Sequence, residues 1–357
     1  MKASNKLHIL ILTNSSQRKL IEVIEKRGHT YELLNPSDLY LYISESENGY
    51  DRIYNGNADL LTPQRLKAKD YDCVISRIGK NLNHGASILR HLTENLGIYC
   101  PQSADGLLTS SDKLKTTQRL SFKGIRVPAT IYAANPLHID FLLSKVGGLP
   151  AVAKMLHGSQ GVGVSILETP LATNTSLESY CKAGIDIKIQ AFIQAGGKDI
   201  RAIVVGDKVV SAMERTANKG DFRANISKQG SGKKINLSNE DEEICVNTSK
   251  ALGLEFSGVD IMKDEDGKTY VIENNGNPGT KISEITGHNY FEDLLDLIED
   301  KTGVSKNTSS KSDEKQGANI QIVKEVKVES KNKISASTQY AIEIRNRVLS
   351  TLSKNGK

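Results

Sequence analysis

The chain has 357 residues, 38% hydrophobic and 25% charged, with a net charge of +5. This is the composition of a soluble globular protein of two or three domains, and it excludes fibrous and disordered classes. No run of about 18 apolar residues is present, so no membrane span is expected, and Leu7–Leu12 is too short and broken for a secretory signal.

Leu7–Leu12 reads as a buried strand, Lys19–Arg27 as a helix closed by Gly28, and Thr30–Leu34 as the next strand. This strand-helix-strand opening predicts an α/β unit with parallel strands. Asp72–Ile78 is a further strand, and Arg77 near its end stands where ligands bind in open α/β sheets. An exposed strand-end arginine reads the same way. Ser110–Leu120 is a predicted helix with Ser110 or Ser111 as N-cap. Predicted strands follow at Ala151–Met155, Val164–Leu167, Ile187–Ile193, Ile200–Val205 and Val209–Arg215, the last two joined at Gly206-Asp207. A helix over Asp241–Leu252 precedes a second hairpin, Gly258–Lys263 and Lys268–Glu273, and Phe291–Glu299 is the final helix of the body.

Cys73, Cys100, Cys181 and Cys245 form no CxxC pair, which points to a reducing, cytoplasmic compartment rather than a zinc site or disulfide framework. From Gly303 onward the chain holds 11 Lys or Arg and 5 Asp or Glu, so that part carries +6 and the remainder −1. The organisation expected is an N-terminal α/β domain over 1–100, a second domain over 101–302, a linker over 303–318 and a basic extension over 319–357. Tyr340–Leu352 has one apolar helical stripe, so the extension reads as a small strand-helix module. Such a tail fits contact with RNA or an acidic partner, and equally a solvated extension.

The second hairpin carries the strongest local chemistry. With its turn near Glu265 and Asp266, Asp260 falls opposite Ile272 or Glu273, and Glu273 shares a face with Asn275. Facing carboxylates need compensation. An all-oxygen set suits Mg²⁺, and a solvated acidic hairpin is the alternative. The glycines from Gly158 to Gly163 suit either a phosphate-draping loop or a structural turn. Lys154, in an apolar strand, is costly unless it faces an anion, and Lys113 is a second candidate phosphate contact. Asp199 and Arg201 are two apart on one strand, with Glu214, Arg215, Asp221, Arg223 and Lys228 nearby.

Six motifs in order resemble ATP-grasp ligases: Asp112-Lys113-Leu114; Val152-Ala153-Lys154 with Gly158–Val164; Lys198-Asp199-Ile200-Arg201; Gly220–Asn225; Gly258–Ile261; and Glu273–Gly279. The resemblance is to the RimK type, which adds glutamate to the C-terminus of a small-subunit ribosomal protein, and it covers roughly Leu7–Lys301. Ser76–Gly79 and Gly28-His29 share it. It implies an ATP-grasp fold, α+β in the ligase part, preceded by a Rossmann-like parallel-sheet domain. It further implies ATP as substrate and Mg²⁺ at Asp260, Glu273 and Asn275, with two ions common and Mn²⁺ a substitute. Lys113 and Lys154 would contact phosphates. The backbone at Ala191 and Phe192 would read adenine, Asp199 would bind ribose, and Arg223, Ala224 and Asn225 would line the nucleotide site. Arg201 and Lys228 would serve the acylphosphate and the incoming acid. L-Glutamate, a ribosomal-protein or peptide C-terminus and a homotetramer are the implied partners.

The sequence departs from that pattern at three places. Ala191 stands where the family usually has glutamate, Lys228-Gln229-Gly230 where it has arginine and two glycines, and Thr280-Lys281-Ile282 where it has Leu-Glu-Gly. Lysine lacks the bidentate fork of arginine. These departures leave open a ligase for another acceptor or amino acid, or a ribosome- or RNA-associated protein whose ligase site has decayed.

Overall fold

A computed structural model describes residues 6–44, 52–59, 62–136, 138–156, 163–217 and 231–304. The Gly158–Val162 loop, Arg223, Ala224, Asn225, Lys228 and the basic extension lie outside them.

The opening unit is β1 (His8–Thr13), α1 (Arg18–Lys26) and β2 (Thr30–Leu34), followed by the short β3 (Leu39–Leu41), β4 (Ile53–Asn55) and β5 (Gln64–Arg65), then β6 (Cys73–Arg77) and α2 (Leu82–Arg90). β1 pairs in parallel with β2, as the strand-helix-strand pattern predicts, and also in parallel with β6, giving the order β2-β1-β6. Gly28 makes the turn between α1 and β2 at φ +74°, a conformation that favours glycine. β3, β4 and β5 form a separate small antiparallel sheet.

The predicted helix over Ser110–Leu120 is two helices, α3 (Ala104–Ser111) and α4 (Lys113–Phe122). The N-cap is Asp112, not Ser110 or Ser111. Its extended backbone ends α3, and its Oδ1 accepts from the amides of Leu114 and Lys115 at 2.9 and 3.0 Å.

Next come β7 (Thr130–Tyr132), α5 (Ile139–Lys145), β8 (Ala151–Met155), β9 (Val164–Leu167), α6 (Pro170–Lys182) and β10 (Ile187–Ala191). These strands form a four-stranded antiparallel sheet, β7-β10-β8-β9. Its core is its own: Ala151, Ala153, Leu167, Ile187 and Ile189 pack with Leu142, Leu143 and Leu177 of α5 and α6.

The remaining elements are β11 (Lys198–Val205), β12 (Lys208–Thr216), β13 (Ser231–Lys234), α7 (Asn239–Ala251), β14 (Phe256–Lys263), β15 (Thr269–Asn275), α8 (Lys281–Thr286) and α9 (Phe291–Thr302). Their strands make a five-stranded antiparallel sheet, β13-β12-β11-β14-β15. α9 buries Phe291, Leu294, Leu295 and Ile298 against Leu20, Val23 and Ile24 of α1 and against Ile203 and Phe256 of the large sheet. Polar groups tie the same seam: Arg27 bonds Glu292, Asp296 and Glu299 at 2.8–3.2 Å, and the buried His29 and Glu299 meet at 2.9 Å. The end of the body is thus fastened to its beginning.

Candidate active site

The β14–β15 hairpin puts Asp260 opposite Glu273 rather than Ile272, because a bulge between Asp260 and Ile261 shifts the register. Asn275 is two residues on, opposite Gly258. On the other side of β14, Arg201 of β11 is opposite Asp260. Its Nε and Nη2 donate to the two carboxylate oxygens of Asp260 at 2.7 and 2.6 Å. Arg215 on β12 is opposite Asp199 and makes the same fork to it at 2.5 and 2.6 Å, and its Nη2 also lies 2.8 Å from Asp260 Oδ2. Two carboxylates and two guanidinium groups therefore form one chain: Asp199, Arg215, Asp260, Arg201. Burial pushes the Asp260 carboxyl up, but Arg201 and Arg215 overcome this and hold it down at about 2. The expected adjacency of Asp199 and Arg201 is present, but each turns to a protein partner. Arg215 completes the network. Counting back from the Gly206-Asp207 turn puts Glu214 opposite Asp199, and a register shift between Ile203 and Val204 brings Arg215 there instead.

The four-stranded sheet faces this chain with lysines. Lys154 on β8 is opposite Lys188 on β10, so both leave the same face of the sheet. Burial lowers the Lys154 ammonium to about 8. Glu273, Asp199 and Asp260 oppose the shift and Lys113 reinforces it, so the two sheets face each other across this point. Lys188 is 1% exposed and was not anticipated from the sequence. Its Nζ donates to the Lys113 carbonyl oxygen at 3.0 Å and to Thr117 Oγ1 at 2.6 Å. Burial, then Lys154 and Lys113, lower it to about 7.

The loop after β15 is clamped from three sides. Gln102 Nε2 donates to Gly276 O at 2.8 Å and to Ser76 O at 3.3 Å. Arg77 Nη2 donates to Pro278 O at 3.0 Å, and Asn277 Nδ2 to Ile78 O at 3.2 Å. Gly276 lets the loop pass close to α3, since a Cβ would lie 2.6 Å from Leu107 Cδ2 and force that side chain to shift. Arg77 is buried, not an exposed strand end, and its Nε donates to Gln17 at 3.0 Å. The clamp fixes Asn275, whose Oδ1 accepts from the Asn277 amide at 2.9 Å. Ala191 closes β10, and its N–H is committed to Ala129 O at 2.8 Å. That donor is not free to read a base. Phe192 follows β10 and is half-buried.

Comparison with known proteins bears on this arrangement directly. The model of the RimK-like ATP-grasp domain matches residues 110–298, and that of the RimK PreATP-grasp domain matches residues 7–107. The chain belongs to the RimK-like ATP-grasp family. Members of this family are ATP- and Mg²⁺-dependent ligases that join an acid to an amino acid, and the chain is an enzyme of that class. A probable alpha-L-glutamate ligase of Pseudoalteromonas translucida is 36% identical over 299 residues, covering 83% of this chain and 95% of that protein. One of Coxiella burnetii is 35% identical over 288 residues, 80% and 91% of the two chains. Among solved structures, the ATP-grasp ligase PsnB with a precursor variant, Mg and ADP superposes with TM-score 0.62 at 17% identity, covering 83% of this chain and 99% of that one. D-alanine–D-alanine ligase of Bacillus anthracis gives 0.55 at 21% identity, covering 83% and 97%. These likenesses show the ATP-grasp fold.

The donor set fits the family's metal. Among the described residues no three His, Cys, Asp or Glu side chains group into a metal site. The candidate set has two carboxylates and one amide, and Mg²⁺ commonly takes few protein ligands. Asp260 is ionised, and a carboxylate has lone pairs beyond those its arginines use. Among the described residues no helix is long and apolar enough to cross a membrane.

Proposed function

We propose that the chain adds L-glutamate to the C-terminal carboxylate of a peptide, with a small-subunit ribosomal protein as its macromolecular acceptor. The observation that carries the reaction type is the facing of unlike charge: Lys154 on one sheet against Glu273, Asp199 and Asp260 on the other. A polyphosphate needs cations around its oxygens and an acidic site for its metal. The relatives' description as probable alpha-L-glutamate ligases supports glutamate as the incoming amine.

In this reading Lys113 and Lys154 hold the phosphates, and Asp199 lies on the ribose side. Asp260, Glu273 and Asn275 hold Mg²⁺, which when bound neutralises charge on the phosphoryl oxygens. The acceptor carboxylate attacks the γ-phosphorus, the bond from that phosphorus to the bridging oxygen breaks, and ADP leaves as the acylphosphate forms. The amine of glutamate then attacks the acyl carbon, phosphate leaves, and the amine proton is lost. Arg201, aligned by Asp260, is the residue assigned to the negative charge that develops on the reacting oxygens, which a fixed guanidinium stabilises. Lys228, Arg223, Ala224 and Asn225 complete the nucleotide and acyl side.

The test is ADP release from Mg²⁺-ATP across the twenty amino acids, with peptides ending in free or amidated carboxylates. Glutamate-dependent turnover that requires the free carboxylate is expected. Turnover with a different amino acid, or with the amidated peptide alone, contradicts the proposal.

A further inference from the structure

Lys188 is a lysine where an apolar residue would ordinarily stand. It lies between Ile187 and Ile189 in β10, with 1% of its surface exposed. A buried ammonium is unfavourable unless its charge is used, and a methionine would fill the same volume without that penalty.

The contacts of Lys188 converge on one residue. Its Nζ donates to the Lys113 carbonyl oxygen at 3.0 Å and to Thr117 Oγ1 at 2.6 Å. The Thr117 hydroxyl donates to the same Lys113 carbonyl at 2.7 Å. At its other end, the Lys113 N–H reaches Leu156 O, just beyond β8, at 3.4 Å. The backbone of Lys113 is therefore tied to both central strands of the four-stranded sheet, to β10 through Lys188 and to the end of β8 through Leu156. Lys154 leaves the same face of that sheet, directly across from Lys188.

We infer that Lys188 is a positioning residue of the nucleotide site, which fixes Lys113 and the first turn of α4 against the four-stranded sheet so that Lys113 and Lys154 meet a polyphosphate together. The inference rests on the proposed assignment of the phosphates to Lys113 and Lys154. Lys113, Lys154 and Lys188 repel one another, and the carboxylates of Glu273, Asp199, Asp260 and Asp112 nearby offset this only in part. The arrangement thus favours the nucleotide-bound enzyme over the free one. Lys188→Met leaves the Lys113 carbonyl still bonded to Thr117, so it orphans no buried acceptor.

The experiment uses the full chain and measures three quantities. These are the affinity for a non-hydrolysable ATP analogue with Mg²⁺, KM for ATP against kcat, and the thermal midpoint without nucleotide. Lys188→Met is expected to weaken the analogue and raise KM about tenfold, the scale of one buried charge-assisted contact. It should leave kcat within about twofold and the nucleotide-free midpoint unchanged or raised. Thr117→Val keeps the charge and loosens its seat, and should weaken binding by a smaller factor, about threefold. Unchanged affinity in Lys188→Met overturns the inference, as does a loss that parallels a lowered nucleotide-free midpoint, the mark of a packing role. Lys154→Ala is measured alongside. If it binds the analogue as the parent does, the phosphate assignment itself has failed; if only Lys154→Ala loses affinity, the inference about Lys188 alone has failed.

Discussion

The two sheets that face each other treat buried charge in opposite ways. On the five-stranded sheet Asp199, Arg215, Asp260 and Arg201 alternate in sign and satisfy one another. On the four-stranded sheet Lys154 and Lys188 share one sign, and Lys113 adds to it. A chain of alternating charge holds its geometry with no ligand present. A cluster of one sign gains from an added anion, even with Glu273, Asp199 and Asp260 facing it. The first side is a prebuilt scaffold for the reacting groups, and the second is a receptor for phosphate.

Breaking the scaffold should have the larger effects. Asp260→Ala removes both the proposed metal ligand and the partner of Arg201. Turnover should fall by roughly 10³-fold or more, the scale of losing a group that stabilises transition-state charge, measured as ADP release at saturating substrates. Arg215→Met leaves Asp199 without its fork and Asp260 with one guanidinium instead of two. Its unfolding free energy by denaturant should drop by about 3–5 kcal/mol, the cost of leaving a buried charge uncompensated. Parent-like stability would mean the network is better solvated than its burial implies. Gln102→Leu tests the clamp on the loop bearing Asn275. With Gly276 O and Ser76 O losing their donor, stability should fall by about 1–3 kcal/mol.

The receptor side is sharpened by pH. Burial and the neighbouring Lys154 and Lys113 charges hold Lys188 at about 7 in the folded protein, against 10.5 ordinarily, while Glu273 and Asp112 pull the other way. Between those values the unfolded chain binds the extra proton, so stability without nucleotide rises with pH across that window. Thermal midpoints from pH 7 to 9, below the range where the buried thiols act the other way, should climb in the parent and climb less in Lys188→Met. Equal slopes would show that Lys188 does not titrate in that range.

The sequence was most legible where local geometry fixes the answer. The Asp264–Gly267 turn sets the β14–β15 register, which is why Asp260 and Glu273 were paired correctly to within one residue, and the bulge decided the rest. The parallel pairing of β1 with β2 followed from the strand-helix-strand pattern. What was not legible depended on competition or on distant contact. Ser110, Ser111 and Asp112 all make acceptable N-caps, and only the carboxylate's reach to two amides chose Asp112. β3, β4 and β5 are two or three residues long, too short to show a period. Lys188 in an Ile-Lys-Ile run reads as the solvent side of an alternating strand, because nothing in that run announces that α4 covers it. Arg77 ends β6 as its strand pattern indicates, and only its burial is illegible there, since that depends on Pro278 and Gln17, which are far away in sequence.

The intact mass of a free-carboxylate peptide after incubation with Mg²⁺-ATP and L-glutamate decides between ligation and idle ATP hydrolysis. Added mass in steps of one glutamyl residue is expected, matched by ADP release and absent with Asp260→Ala. A peptide of unchanged mass while glutamate-dependent ADP release proceeds would contradict ligation.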